Sequence, residues 1–224
     1  MKQWKTVLFD LDGTLVDTIG DLAWTTEQVL TEWGRGNADG TPVHDYAAYK
    51  QFVGNGIRKL IERAFAHTLS EQELDKVQAR FLELYDGHLC VFTAPYEGIV
   101  TVLEAVKAAG IPMGIATNKP EEQAQRLAKQ LFPEFDFCCV YGNVSDRPAK
   151  PAPEIVELAL KDCKAEKAST LFVGDSNVDV QTAHNGGLVC CGAGWGFRGE
   201  QELADAGAEI VLGKPIELLD VLGL

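Results

Sequence analysis

Two carboxylates stand two residues apart in the run TVLFDLDGTLVD, residues 6–17. Val7, Leu8 and Phe9 form the short apolar run of a strand covered on both faces, which sets Asp10 where the strand leaves the core. Asp12, Gly13 and Thr14 follow as a turn, with Gly13 free to take a backbone shape that a side chain would forbid. Asp-x-Asp also occurs in ordinary solvated turns, so the company these acids keep carries the argument. Three further segments end a strand or open the helix after one. They are Thr117 and Asn118 after IPMGIA, Lys150 and Pro151 in the loop after FCCVY, and Gly174, Asp175, Ser176 and Asp179 after TLFVG. Parallel strands bring their C-terminal ends to one edge of a sheet, where residues far apart in sequence converge. Asp10, Asp12, Asp175 and Asp179 in one crevice would repel each other and any phosphate dianion unless a hard cation and a basic side chain joined them. Mg²⁺ and Lys150 meet both needs, and Asp10 and Asp175 are the expected side-chain ligands.

These residues need a particular scaffold. In the second half, short apolar runs alternate with helical patterns, the signature of β-α-β units and a parallel sheet. Ile99, Val102, Leu103 and Val106 recur at helical spacing before Gly110; IPMGIAT follows as a strand, and a helix opens at Pro120 as its first-turn proline. FCCVY, TLFVG, LVCCGA and EIVL read as later strands. Between them, helices run from Pro153 to Cys163 and from Val178 to His184. From about Asp17 to Phe92, apolar residues recur only at helical spacing: Ile19, Leu22, Ala23, Val29 and Leu30; Leu60, Ile61, Ala64 and Phe65; Leu74, Val77, Phe81, Leu82 and Leu84. The expected architecture is α/β, a Rossmann-like parallel sheet core over residues 1–16 and 93–224 with an inserted α-helical cap domain over 17–92. Hinges are expected at 15–18 and 92–96.

Bulk properties narrow the function classes. At 224 residues with 46% hydrophobic composition, the chain can bury a sizeable core. A formal charge of -13 repels phosphate backbones and anionic lipid, so nucleic acid and membrane are not expected partners. The N-terminal MKQWKTVLFD has no apolar signal core, and the expected location is the cytoplasm. Six cysteines lack metal-ligand spacing and read as buried, reduced thiols. Trp24 and Trp33 read as cap core.

With these residues in place, the chain resembles the haloacid dehalogenase (HAD) superfamily: VLFDLDGTL, IATN, the Lys150-Pro151 step and FVGDSNVD match its four motifs in order. The match covers nearly the whole chain. The resemblance adds the backbone carbonyl of Asp12 to the metal ligands. The mechanism expected is attack by Asp10 on phosphorus to form an aspartyl phosphate, which water then hydrolyses. Asp12, set among negative charges, is expected to hold a proton, give it to the leaving alkoxide, and then act as base for water. Thr117, Asn118, and the backbone at Gly13 and Thr14 are expected to hold phosphoryl oxygens, with Lys150 neutralising their charge. Asp179 is expected to orient the metal site from behind, with Ser176 beside it.

The helical insert resembles the family's type-one cap, where specificity would lie. Its FVGNGIRKL segment places Gly54, Asn55 and Gly56 at a helix start, with Arg58 adding positive charge for an acidic substrate. This GNG and the late GWGF resemble phosphoglycolate phosphatases. The expected activity is Mg²⁺-dependent hydrolysis of a small phosphorylated metabolite, 2-phosphoglycolate first, by a monomer or dimer. The sequence departs from relatives at Asn185-Gly186-Gly187, where Ala-Gly is common, and in the polar stretch 36–42. Alternatives are a sugar phosphomutase of the β-phosphoglucomutase type, another phosphoester or pyrophosphate hydrolase, a phosphonate hydrolase using Lys50 or Lys59, and a silent binding module. A dehalogenase would have no use for Asp12 or the metal set.

Overall fold

Thr6, Val7, Leu8 and Phe9 are all buried and form β1 (Thr6–Phe9), a strand with covered faces as its composition requires. The computed structural model describes residues 3–224. They fall into two compact units, one made of the chain up to Asp17 with Pro95–Leu224, the other of Thr18–Ala94. The short strands β2 (Val16–Asp17) and β3 (Ala94–Pro95) form a separate two-stranded sheet.

The second unit is helical: α1 (Ile19–Glu32), α2 (Tyr46–Phe52), α3 (Ile57–Ala64) and α4 (Glu71–Gly87). The apolar positions listed by periodicity mostly turn inward, with Leu82 and Leu84 half-buried and Tyr85 buried instead. Helix α4 begins with a capping box, Ser70 with Glu73, which satisfies orphan N–H groups at its start. Trp24 departs from the core reading. It is 36% exposed and stacks on the His88 ring at 3.8 Å between centroids.

An acid inside α1 braces this unit. Asp21 is fully buried and accepts hydrogen bonds from His88 Nδ1 (2.8 Å), the Phe92 N–H (3.0 Å), the Thr93 N–H (2.8 Å) and the Thr93 hydroxyl (2.6 Å). Asp21→Ala would leave buried donors without a partner, and a loss of about 3 kcal/mol is expected in the denaturant unfolding of this unit. An unchanged midpoint would show that the donors find water instead.

In the first unit the chain continues through α5 (Ile99–Ala108), β4 (Met113–Pro120), α6 (Glu121–Leu131), β5 (Val140–Asn143), α7 (Glu154–Asp162) and β6 (Thr170–Gly174). It ends with α8 (Asn177–Gly186), β7 (Val189–Ala193), α9 (Gly199–Asp205), β8 (Ile210–Leu212) and α10 (Leu218–Leu222). The sheet order is β5-β4-β1-β6-β7-β8, and its ladders are parallel, so the expected α/β Rossmann-like core is the one observed. One core cluster packs Leu8, Phe172 and Cys190 against Val156, Ala159 and Val180. No helix among the described residues is long and apolar enough to cross a membrane.

Two local readings need correction. Pro120 closes β4 and caps α6 with ψ 135, so the helix starts one residue later; the strand's extended geometry persists through the X-Pro step. The strand read as FCCVY begins only at Val140, leaving Cys138 exposed while Cys139, Cys163, Cys190 and Cys191 are buried. Position at the sheet edge, which apolarity alone does not report, explains the difference.

Candidate active site

Strand order decides which residues meet. β1 lies between β4 and β6, with Phe9 opposite Ile115 on one side and Val173 on the other. Asp10 is the next residue, its N–H donating to Val173 O at 2.8 Å, so its carboxylate emerges between the ends of both neighbours. Those ends supply Thr117 and Asn118 from β4, and Asp175 just beyond β6.

Lys150 is the cation at the centre. Its side chain is 2% exposed, and Nζ lies 3.0 Å from Asp10 Oδ1 and 2.7 Å from Asp179 Oδ1, also donating to Ala116 O at 3.0 Å. Burial works against its charge, but Asp10 and Asp179 outweigh that and hold its pKa above the ordinary lysine value. The side chain of Asn118 braces the Lys150 loop: Oδ1 accepts from the Lys150 N–H at 2.8 Å and Nδ2 donates to Lys150 O at 3.1 Å. The amide expected to grip a phosphoryl oxygen thus also holds the lysine loop in place. The Thr117 hydroxyl hydrogen-bonds the Asp10 carboxyl and accepts from the Lys119 N–H at 3.3 Å.

Asp179 sits inside the acid cluster. Its Oδ2 accepts from the Ser176 N–H (3.1 Å) and hydroxyl (2.7 Å), a capping box at the start of α8 that aims Oδ1 at Lys150. Asp175 is held from the other side. Its Oδ2 accepts from the Phe197 N–H at 2.7 Å, which gives the GWGF segment a function: its backbone locks an acid. Gly13, at φ 85, and Gly196 both press on that carboxylate. A Cβ on Gly13 would lie 2.3 Å from Asp175 Oδ2; one on Gly196 would lie 2.3 Å from Gly13 O. The Trp195 indole N–H donates to Thr14 O at 3.0 Å, tying GWGF to the DLDGT turn. In that turn the Thr14 hydroxyl is buried without a hydrogen-bond partner.

Asp12 has a neighbour that the sequence reading missed. Both its oxygens face Lys119 Nζ, at 3.0 and 3.2 Å, and the lysine side chain is 1% exposed. An ammonium, not another carboxylate, is the closest charge to Asp12. The signal in the sequence is the third residue of the TNK step at the end of β4, directly after Asn118.

The cap candidates serve their own unit. Gly54 (φ 110) and Gly56 (φ 85) adopt backbone shapes that favour glycine, and Gly56 caps α3. The Asn55 carbonyl oxygen accepts from Arg63 at 2.7 Å, and the same guanidinium donates to Phe52 O. Arg58 is paired with Glu71 (2.6 Å) and Asp75 (2.7 Å) of α4, so the charge offered to an acidic substrate is spent within the helices. Among the other cap lysines, Lys59 pairs with Glu62 at 2.6 Å.

The electrostatics of the acid cluster favour a cation. Burial, aided by the charge of Asp179, pushes Asp10 up from 3.8 to about 6 against the opposing pull of Lys150 and Thr117. Burial raises Asp175 well above its usual range, with Asp179 and Asp10 adding to it. Asp10, Asp175 and Asp179 each offer an oxygen within 4.8 Å of the others, and Asp10 Oδ1 is buried against Lys150 Nζ at 3.0 Å. Asp10, Asp175 and Asp179 outnumber the ammonium of Lys150 that they surround, and a cation among them would offset the excess negative charge. An all-oxygen anionic set fits a hard ion such as Mg²⁺.

The comparisons with known proteins agree in kind. Residues 4–187 match the model of the haloacid dehalogenase-like hydrolases. An N-acetylmuramic acid 6-phosphate phosphatase from Pseudomonas aeruginosa is 32% identical over 97% of this chain and 94% of its own length. Phosphoglycolate phosphatase 1 of the same organism is also 32% identical, over 96% of this chain and 78% of its own. Among solved structures, a predicted phosphoglycolate phosphatase from Haemophilus somnus superposes with a TM-score of 0.86 at 27% identity, covering 99% of each chain.

Proposed function

The chain belongs to the haloacid dehalogenase-like hydrolases, and from that premise we propose that it is a phosphomonoester hydrolase that takes the phosphoryl group onto Asp10. One observation carries the reading: a buried Asp10 carboxylate faces a lysine at 3.0 Å and two further acids at the centre of the sheet edge. Asp10 attacks phosphorus in line as the bond to the substrate oxygen breaks, and that bond's electron pair leaves with the oxygen. Asp12 gives that oxygen a proton, releasing an alcohol. Water then attacks the aspartyl phosphate and passes a proton to Asp12; the bond to Asp10 breaks, freeing phosphate and restoring the carboxylate. Lys150 neutralises charge on the transferring group and Thr117 holds its oxygens, whereas the Gly13 and Thr14 N–H groups expected to share that work donate within the turn, to Val16 O and Leu11 O. Asp10, Asp175 and Asp179 would hold Mg²⁺, with the Asp12 carbonyl added by family resemblance. When bound, the ion supplies the positive charge that lets a dianion approach a carboxylate.

The leading substrate is 2-phosphoglycolate, supported by the phosphoglycolate phosphatases among the relatives. A second reading, N-acetylmuramic acid 6-phosphate, is favoured by a relative that this chain matches over 94% of that protein's length. Both are phosphomonoesters that also carry a carboxylate. A phosphate-release screen with Mg²⁺ across phosphorylated acids, sugars and nucleotides decides the matter. Preference for either ester supports the carboxylate-bearing class, and preference for nucleotides would exclude it. Turnover that needs a bisphosphate activator and releases no phosphate would instead indicate a mutase.

Metal binding should also appear in stability. Because the folded-state pKa of Asp10 is raised, this carboxyl's contribution to stability is full below pH 3.8 and lost as pH rises through about 6. Without metal, thermal unfolding above that window is expected at lower temperature than within it. Added Mg²⁺ should restore several degrees above pH 6 and progressively less below, as protons compete for Asp10. Melting curves indifferent to Mg²⁺ at all pH values would remove the ion from the account.

A further inference from the structure

Lys119 is the buried charge that the proposed reaction leaves unused. Its ammonium meets both oxygens of Asp12, and the two residues are separated by 107 positions in the chain. Contact with both oxygens fixes the carboxyl in direction as well as in place, which a contact to one oxygen would not. Lys119 is itself held by geometry. It lies in the irregular stretch between Ala116 and Pro120 where the β4–β5 register shifts, and its N–H donates to the Thr117 hydroxyl.

We propose that Lys119 is a positioning residue for proton transfer to the leaving group: by meeting both oxygens it fixes the direction of the Asp12 carboxyl. The inference rests on the phosphatase reading with Asp12 as proton donor. Its consequence depends on the substrate. An alkyl ester expels a strongly basic oxygen and needs the proton; an aryl ester such as p-nitrophenyl phosphate expels a weakly basic one and scarcely does.

The test compares Lys119→Met with the unaltered enzyme on an alkyl phosphate and on p-nitrophenyl phosphate. A fall in kcat on the order of a hundredfold is expected for the alkyl ester, with the aryl ester changed only several-fold. Lys119→Arg, which can also meet both oxygens, should recover most of the alkyl rate. Asp12→Asn combined with Lys119→Met should be no slower than Asp12→Asn alone, because Lys119 acts through Asp12. That comparison stands even if Lys119→Met alone fails to fold, since the pair removes both charges together. Equal losses on both esters, or a double variant slower still than Asp12→Asn, would overturn the inference. Absence of phosphate release from either ester by the unaltered enzyme would overturn the phosphatase reading instead.

Discussion

Asp10→Asn is expected to abolish phosphate release, lowering turnover at least about ten-thousandfold, while the protein stays folded. The substitution keeps the side chain's size and removes only the nucleophilic charge. Its structural cost should be small, because burial already opposes that charge and Lys150 retains Asp179 and Ala116 O as partners. Circular dichroism and a melting curve check the fold, and phosphate release checks the chemistry. Turnover near the unaltered rate in a folded protein would move the nucleophile elsewhere. The substitution distinguishes Asp10 from its neighbours, since Asp175 and Asp179 would remain to attract a cation.

Lys150→Met tests the centre of charge from the opposite side. Removing the ammonium leaves Asp10, Asp175 and Asp179 buried together with nothing between them but mutual repulsion. Phosphate release should fall on the order of a thousandfold. Stability at neutral pH should fall by about 3–5 kcal/mol, the usual result of stripping one partner from a buried ion pair. That second loss should shrink as pH falls toward about 6, because Lys150 holds the Asp10 pKa down and its removal lets Asp10 take up a proton at higher pH, easing the repulsion. Denaturant titrations at two pH values measure the difference. A loss of stability independent of pH would mean that Lys150 acts through packing, not through charge.

Where sequence was a sufficient guide, the determining physics was local. The apolar run of β1 and the acids at its exit are neighbours in the chain, and the same holds for TLFVG and Asp175, so the α/β fold and the family could be read directly. Residues whose roles depend on distant partners were misread or missed. Arg58 looked available because its partners, Glu71 and Asp75, belong to another helix. Asp21 carries no signal in the sequence, because the donors it serves lie at residues 88–93, far along the chain. Lys119 stood beside a recognised motif, but only the placement of β4 next to β1 brings it to Asp12. GWGF could be noticed as a resemblance, yet its work on Asp175 needs a glycine with no Cβ pressed against a carboxylate, which no spacing rule reveals.

If the Asp10 carboxylate at the end of β1 accepts the phosphoryl group, the enzyme passes through a covalent phosphoenzyme. Rapid acid quench of the enzyme turning over its best substrate, followed by mass spectrometry of its peptides, measures this directly. One phosphoryl group is expected on the peptide holding Asp10, present with Mg²⁺, lost with chelator and missing in Asp10→Asn. Phosphate release proceeding at full rate with that peptide unmodified at every quench time, or with the phosphoryl group on a different side chain, would contradict it.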